Sequence, residues 1–178
     1  MPAERFVSLL GEQIGNEFAA SQQYVAVAVY YDGLTLPRLA SFFYAQALEE
    51  RNHAMMMVGY LLDAGLPVDM PGLPKPVDRF DDVVAPVTIA LEQERRVSDQ
   101  IATLTGTARE SGDFQSEQFM QWFLKEQIEE VATMGDLLKV VERCRDNLML
   151  AEEYLAREHP AGAEESDATA PPVAGGAL

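Results

Sequence analysis

The stretch LEERNHAMMM, residues 48–57, places two carboxylates and an imidazole inside a segment that otherwise has the composition of a buried helix. Glu50 and His53 are three residues apart, so on a helix they share one face and can contact the same metal ion. Carboxylate oxygens with one added imidazole favour iron, manganese or zinc over calcium. The segment therefore predicts part of a metal site that other elements must complete.

Helical stripes are the elements available to position these residues. Apolar residues recur at helical spacing in four segments, at positions 6–31, 39–64, 87–108 and 120–141. Pro37 precedes the second stripe at a position that a first helical turn tolerates. Gly112 and Asp113 separate the last two stripes and are typical of a helix stop and a new N-cap. A short amphipathic fifth segment, DNLMLAEEYLARE, is predicted to begin at an N-cap, Asp146.

The links between the stripes predict the topology. Only a few residues join helices one and two, and three and four, so each pair is predicted to be an antiparallel hairpin. The middle link, residues 65–82, contains four prolines that forbid a continuous helix. Extended, it reaches roughly 55 to 60 Å, which exceeds the roughly 42 Å of the predicted helices. The predicted fold is all-α, a four-helix bundle with one long crossover plus a short C-terminal fifth helix.

Each of the four stripes contains a carboxylate, and the four are Glu17, Glu50, Glu94 and Glu130. An uncompensated carboxylate in a dry core costs several kcal/mol, and no Lys or Arg lies near these acids on the stripes. A bound cation is the remaining way to neutralise them. We expect Glu17 to join Glu50 and His53 around one ion. Glu94 and Glu130 are expected to hold a second ion, to which Glu50 can bridge.

The sequence resembles the prokaryotic non-haem ferritins, the iron-storage branch of the ferritin-like di-iron carboxylate proteins, over about residues 5–157. EERNHA and QFMQWFLKEQIEEV carry the resemblance most specifically. The ferroxidase ligands that it implies are Glu17, Glu50, His53, Glu94 and Glu130, with Gln127 close to the oxygen and Tyr24 beside the centre. The extra carboxylates that it implies for a third, looser iron site are Glu49, Glu126 and Glu129.

The sequence departs from related branches at informative positions. Gln127 and Glu130 stand where a symmetric di-iron bundle has its second Glu-x-x-His, so only one iron is expected to have an imidazole ligand. Bacterioferritins and rubrerythrins keep that second histidine. Arg51 follows the bridging glutamate, where bacterioferritins carry a haem-ligating methionine, so haem is not expected. The fifth helical segment distinguishes the chain from the mini-ferritins.

The resemblance implies an iron-storage ferritin with ferroxidase activity. Two Fe(II) ions would be oxidised by dioxygen, and ferric mineral would be deposited inside a hollow homo-oligomeric cage of 24 subunits. Two alternatives remain open from the residues. One is a di-iron oxidase that acts on an organic substrate with the same ligands. The other is a metal-free structural or interaction bundle, whose glutamates pair with polar groups.

Composition excludes several other classes. The formal net charge of −16 argues against nucleic acid as a partner and favours attraction of cations. No apolar run approaches the roughly 20 residues of a membrane span. A single cysteine, Cys144, excludes an intramolecular disulfide framework and Cys-based metal sites. The N-terminus lacks the apolar run of a secretory signal, so a cytoplasmic location is expected.

The C-terminal end is predicted to lie outside the domain. Residues 1–158 are expected to form the ferritin-like di-iron domain. Residues 159–178 contain few large apolar side chains and are expected to be a disordered tail. The small and apolar ending PPVAGGAL also allows docking on a protein partner, such as an encapsulating shell.

Overall fold

A computed structural model describes residues 2–160 and 167–178 of the chain. Within these ranges all regular secondary structure is helical and no strand is present, which confirms the predicted fold class. The five helices are α1 (Glu4–Gly33), α2 (Pro37–Asp63), α3 (Ala85–Glu110), α4 (Phe114–Arg143) and α5 (Met149–Glu158). None of these helices combines the length and hydropathy that a membrane crossing requires.

Most of the predicted helix ends are confirmed, and one is wrong. Pro37 is the first residue of α2. Asp113 is the N-cap of α4 and accepts the backbone N–H of Ser116 at 3.1 Å, directly after Gly112 with its positive φ of 66°. Asp146, in contrast, is not the N-cap of α5, which begins at Met149. The backbone at Asp146 is still part of the turn that ends α4, so the helix cannot begin there.

Contacts along α1 and α2 show that the two helices are antiparallel. The ring of Phe6, near the start of α1, lies 6.2 Å from that of Tyr60, near the end of α2. At the other end, the ring of Tyr31 stacks on Phe43 at 5.9 Å. Early residues of one helix therefore meet late residues of the other, as the short link predicts.

The third and fourth helices form a second antiparallel hairpin. Ser98, in the middle of α3, donates to Gln127 of α4 at 3.0 Å, and Arg109 near the end of α3 bonds Glu117 near the start of α4. Residues 64–84 connect the two hairpins and run alongside α1, where Pro71 lies next to Gly15. Within this crossover the backbone N–H and C=O of Val77 both pair with the side chain of Gln23, each at 2.8 Å.

The apolar core is divided into two clusters. One surrounds Tyr24, Phe43 and Leu137, and the other surrounds Phe6, Met57, Ile101 and Phe123. On each of the four long helices the two clusters are separated by one short polar stretch. The four stretches contain, in order, Glu17, Glu50 with His53, Glu94, and Gln127 with Glu130. The fold therefore brings one layer of buried polar residues to the middle of the bundle.

The C-terminal helix is attached to the bundle through a buried carboxylate. Glu152 of α5 accepts the backbone N–H groups of Arg38 and Leu39, each at 2.8 Å. These groups lie in the first turn of α2, which has no capping side chain of its own. Glu152 therefore supplies the cap from α5, and its negative charge also suits the positive end of the α2 dipole.

The residues that follow α5 differ in part from the expected disordered tail. Residues 161–166 lie outside the described ranges. Residues 167–178 pack against the bundle, where Val173 and Ala174 join the cluster around Phe6 and the N–H of Ala174 donates to the carbonyl of Met55 at 3.2 Å. The division into a domain at 1–158 and a tail at 159–178 stays a prediction, as does docking of the tail on another protein.

Candidate metal centre

The first two helices bring three buried ligand side chains together. Glu17 of α1 and Glu50 and His53 of α2 each offer one ligand atom, and these atoms all lie within 4.8 Å of one another. All three side chains are at most 2% exposed. The sequence placed these residues around one ion, and the structure shows that their geometry allows it.

Two further carboxylates come from the second hairpin. Glu94 of α3 is fully buried and Glu130 of α4 is 5% exposed. Their ligand atoms do not join the group of Glu17, Glu50 and His53 within 4.8 Å. Both carboxylates nevertheless lie close enough for their charges to raise the pKa of Glu50. The structure thus separates the five predicted ligands into a close group of three and a neighbouring pair.

Hydrogen bonds hold Glu94, one member of the neighbouring pair. The hydroxyl of Tyr24 donates to Oε1 of Glu94, so this predicted tyrosine does lie beside the centre. Gln127 Nε2 donates to Oε2 of the same carboxylate at 3.5 Å, while Gln127 Oε1 accepts from the hydroxyl of Ser98. Gln127 therefore orients Glu94 with its amide nitrogen, and the orientation of the amide is fixed from α3.

Several buried oxygens in the first group have no hydrogen-bond partner within the described part of the chain. They are Oε2 of Glu17 and both carboxylate oxygens of Glu50. The other oxygen of Glu17 accepts from Gln13 Nε2 at 2.8 Å. Buried polar atoms are almost always paired, because an unpaired one costs about 1–3 kcal/mol. Carboxylate oxygens that lack hydrogen-bond donors and lie beside an imidazole are suitable ligands for a divalent cation. The residues present therefore fit the predicted metal ion.

Burial dominates the protonation behaviour of the carboxyls. Desolvation raises the pKa of Glu17, raises that of Glu94 to about 7, and raises those of Glu50 and Glu130 well above the ordinary value. Neighbouring negative charges add to this, above all Glu94 on Glu50 and Glu49 on Glu130. Ionising the whole layer without a cation is therefore unfavourable, and a bound cation would reverse that preference.

Burial shifts the pKa of the His53 imidazole in the opposite direction. Burial lowers the pKa of His53 to about 4, because desolvation disfavours the charged form. His53 is consequently neutral near pH 7, which is the form that binds a metal. Its ring packs edge-on against Trp122 and Phe123, with centroid distances of 5.6 and 5.9 Å.

A second group of carboxylates lies next to this centre and closer to solvent. Ligand atoms of Glu49, His53 and Glu126 lie within 4.8 Å of one another, and the two carboxylates are half-buried. Glu129, which the sequence predicted for the same third site, is not in that group. Its side chain is 63% exposed and lies 3.8 Å from Lys125 Nζ. Two of the three residues predicted for the third site, Glu49 and Glu126, therefore lie close to His53, and Glu129 lies at the rim of this group.

A cleft of about 460 Å³ leads from solvent to these groups. Its walls include Glu49, Glu126, Glu129 and Glu130, and the far side is formed by the end of α5 and by His159. Glu130 belongs to the buried layer, whereas Glu49, Glu126 and, at their rim, Glu129 form an outer group. The cleft is thus an acidic passage that reaches the buried layer at Glu130.

Two residues that support the centre were missed in the sequence. Gln13 donates to Glu17, and Ser98 donates to Gln127. Gln13 lies four residues before Glu17, and Ser98 lies four residues after Glu94, so each shares a helix face with a predicted ligand. A search for hydrogen-bonding side chains one turn away from each ligand would have found both.

Comparisons with known proteins agree with this geometry. The ferritin-like domain family matches residues 7–144. "Ferritin BfrB" of Mycolicibacterium smegmatis is 52% identical over 174 residues, which cover 98% of this chain and 95% of that protein. "Bacterial non-heme ferritin" of Staphylococcus haemolyticus is 30% identical over 159 residues, or 88% of this chain and 96% of its own length. A solved open-pore ferritin from Archaeoglobus fulgidus, 26% identical, superposes with a TM-score of 0.82 over 87% of this chain and 98% of its own.

Proposed function

The chain belongs to the ferritin family of iron-storage proteins, and on that premise we propose that it is a ferroxidase. It oxidises Fe(II) to Fe(III) with dioxygen at the buried layer and stores the product as a ferric mineral. The observation that carries this proposal is the group of Glu17, Glu50 and His53, in which three of the four carboxylate oxygens have no hydrogen-bond partner within the described residues.

Fe(II) is the substrate, and the buried layer supplies two places for it. Glu17, Glu50 and His53 hold the first ion. Glu94 and Glu130 hold the second, with Glu50 shared between the two. Four ionised carboxylates around two divalent ions balance their charge, which removes the electrostatic cost of burying the acids. Neutral His53 adds a ligand without adding charge.

The reaction that fits this site is a two-electron reduction of dioxygen. Each of two Fe(II) ions gives up one electron, and one dioxygen takes both electrons and two protons to become hydrogen peroxide. Hard, anionic oxygen ligands favour Fe(III) over Fe(II), so the carboxylate-rich ligand set contributes to the driving force. A layer with a single imidazole also holds the product less tightly than a symmetric site with two would, which suits a centre that must release Fe(III).

The outer group offers the next step for the oxidised iron. Glu49, Glu126 and Glu129 line the cleft beside Glu130, so an ion that leaves the second position meets these carboxylates first. We assign a third, weaker iron site to these three carboxylates, while the one acceptor nitrogen of neutral His53 serves the first ion. Family membership supports assembly into a homo-oligomeric cage, and 24 subunits is the number that we propose. The absence of haem and a cytoplasmic location stay predictions.

The cleft also bears on the alternative of a di-iron oxidase with an organic substrate. Such an enzyme needs a cavity that accepts an uncharged or apolar molecule close to the metals. This cleft has apolar residues such as Phe42 and Leu155 in its walls, but it also has four carboxylates, whose charge favours the passage of cations.

Iron uptake in air distinguishes these functions. Fe(II) is added to the iron-free assembly in excess, and the iron that co-elutes with protein is counted after gel filtration. Storage predicts many more irons per chain than the centre holds, with the ultraviolet absorption of ferric mineral. Uptake that stops at about two irons per chain would favour the oxidase instead. Oxidation no faster than in buffer alone would contradict both and leave the metal-free structural bundle.

A further inference from the structure

Beyond the metal centre, the C-terminal segment makes a specific hydrogen bond to the aromatic residue that packs on His53. The indole Nε1 of Trp122, the chain's only tryptophan, donates to Asp167 Oδ2 at 2.9 Å. The same indole ring meets the His53 ring edge-on at 5.6 Å, with an interplanar angle of 72°. One side chain thus joins the segment 167–178 to a ligand of the centre.

Asp167 is itself held in place. Its Oδ1 accepts both the backbone N–H and the hydroxyl of Thr169, at 2.8 and 2.6 Å. Lys125 Nζ lies 3.7 Å from Oδ2. These contacts orient the carboxylate so that Oδ2 faces the indole, and they lower its pKa well below the ordinary value. Asp167 therefore remains an acceptor for Trp122 throughout the neutral range.

The remainder of the segment is attached to the helix that carries His53. The N–H of Ala174 donates to Met55 O, and the N–H of Leu178 donates to Asn52 Oδ1 at 3.4 Å. The segment also lies against Gly59, where an added Cβ would be in van der Waals contact with the carbonyl oxygen of Pro172 at 3.4 Å. Because Trp122 is on α4 and the other contacts are on α2, the segment connects the two helices that meet at His53.

The surroundings of His53 explain why such a connection matters. A ligating histidine is usually oriented by a hydrogen bond from its second ring nitrogen. The Nδ1 atom of His53 lies 3.6 Å from Glu50 Oε2, which is beyond hydrogen-bond length. Aromatic packing therefore contributes to the orientation of the imidazole, and Trp122 provides one of its two ring contacts.

We propose that residues 167–178 form a strap that orders the metal centre, in which Asp167 acts as a positioning residue. Asp167 fixes the indole of Trp122, and the indole in turn holds the imidazole of His53 in the orientation that binds the first Fe(II). Asp167 does not contact the iron. The inference rests on the proposed function, because His53 is a ligand only if the buried layer binds iron.

The test compares Asp167→Leu with Asp167→Asn in the full-length assembly. Leucine removes both oxygen acceptors, whereas asparagine keeps one oxygen, which can still accept from the indole, and replaces the other with an NH2 group that cannot accept from Thr169. Asp136→Leu is the matched control, because Asp136 is an exposed α4 carboxylate that pairs with Lys139 as Asp167 does with Lys125. Two quantities are measured: the fluorescence emission of Trp122 in iron-free protein, and Fe(II) affinity under anaerobic conditions.

We expect Asp167→Leu to shift the Trp122 emission to longer wavelength and to weaken Fe(II) binding by about three- to tenfold, less than the loss of a direct hydrogen bond to a ligand histidine. Asp136→Leu should match the wild type in both measurements, and Asp167→Asn, which keeps one acceptor for the indole, should lie closer to the wild type than Asp167→Leu does. The proposal is overturned if Asp167→Leu also matches the wild type, or if Asp167→Asn is as impaired as Asp167→Leu, since the retained acceptor for the indole would then have no effect. If the wild type binds no Fe(II), the proposed function itself is wrong.

Discussion

The buried layer and the outer group contain the same residue types in different surroundings. Glu50 and Glu94 are at most 1% exposed, whereas Glu126 is half-buried and Glu129 is open to solvent beside Lys125. His53 lies within ligand distance of both groups. The two groups thus share one imidazole but differ in how much water can stabilise their charges.

This difference separates binding from transfer. Buried carboxylates gain most from a cation, because water cannot compensate their charge, so the proposed function assigns the binding and oxidation of Fe(II) to the layer. Solvated carboxylates gain little, so under the same proposal the outer group is expected to hold iron weakly and to pass it on. Each prediction below changes one group and uses the other as its control.

The largest effect is expected when the shared ligands of the buried layer are removed. Glu50→Ala combined with His53→Ala should lower the initial rate of Fe(II) oxidation by about 100-fold or more, since even outer-shell partners of metal ligands cost 10–100-fold. Stopped-flow absorbance after mixing with oxygenated buffer measures the rate. A double variant that oxidises as fast as wild type would show that the assigned layer is not the catalytic site.

Raising the pH should destabilise the iron-free protein. A carboxyl whose pKa is raised on folding, such as Glu94 at about 7, stabilises the fold at low pH, and that contribution is lost as the pH rises from 4.5 through 7. His53, whose pKa is lowered to about 4, has the opposite effect, because its contribution to stability is lost as the pH falls. This is the effect of one imidazole against that of four buried carboxyls. Between about pH 5 and about pH 8, the free energy of unfolding of the iron-free protein is expected to decrease by about 2 kcal/mol.

Thermal unfolding in the presence of a chelator measures this dependence at constant protein concentration. Adding Fe(II) under anaerobic conditions should remove most of the dependence of stability on pH, because a bound cation keeps the carboxylates ionised at low cost. Stability that rises over the same pH range without metal would contradict the assignment of a costly buried charge.

A neutral isostere should stabilise the buried layer and leave the outer group unaffected. Glu50→Gln in iron-free protein near pH 8 is expected to raise the free energy of unfolding by about 1–3 kcal/mol, because it removes a buried charge. Glu129→Gln should change it by less than about 0.5 kcal/mol, as is usual for exposed positions. Urea unfolding provides both values, and equal effects at the two positions would remove the distinction drawn from burial.

The smallest effect on oxidation is expected in the outer group. Glu126→Ala combined with Glu129→Ala should leave the first turnover within about threefold of wild type, since exposed charges contribute little to a buried site. Later turnovers should slow, because oxidised iron has lost its next ligands in the cleft. Repeated additions of two Fe(II) per chain separate the first turnover from the rest. A large loss already in the first turnover would mean that the outer group is part of the catalytic centre.

Much of the fold, and the burial of the residues proposed as ligands, could be predicted from the sequence. Each helix buries one face at a period of 3.6 residues, so the positions of Glu17, Glu50, Glu94 and Glu130 on the stripes predicted their burial. The prolines and the length of the middle link predicted the long crossover. These are local properties of the chain, and the bundle follows from them with few alternatives.

Contacts between distant segments were beyond prediction. Glu152 caps α2 from α5, and its acidic character alone did not distinguish it from a solvated glutamate. Residues 167–178 have the composition of a flexible tail, because their large apolar side chains are few. They pack through small residues against Gly59 and through one carboxylate against Trp122, and neither contact leaves a periodic pattern.

The most direct test of the central claim is an anomalous difference map at the iron edge, from crystals soaked anaerobically in Fe(II). The buried layer predicts two peaks per chain, one among Glu17, Glu50 and His53 and one beside Glu94 and Glu130. Any peak at the outer group should be weaker. Peaks confined to the outer group, or none in the polar layer between the two apolar clusters, would contradict the account.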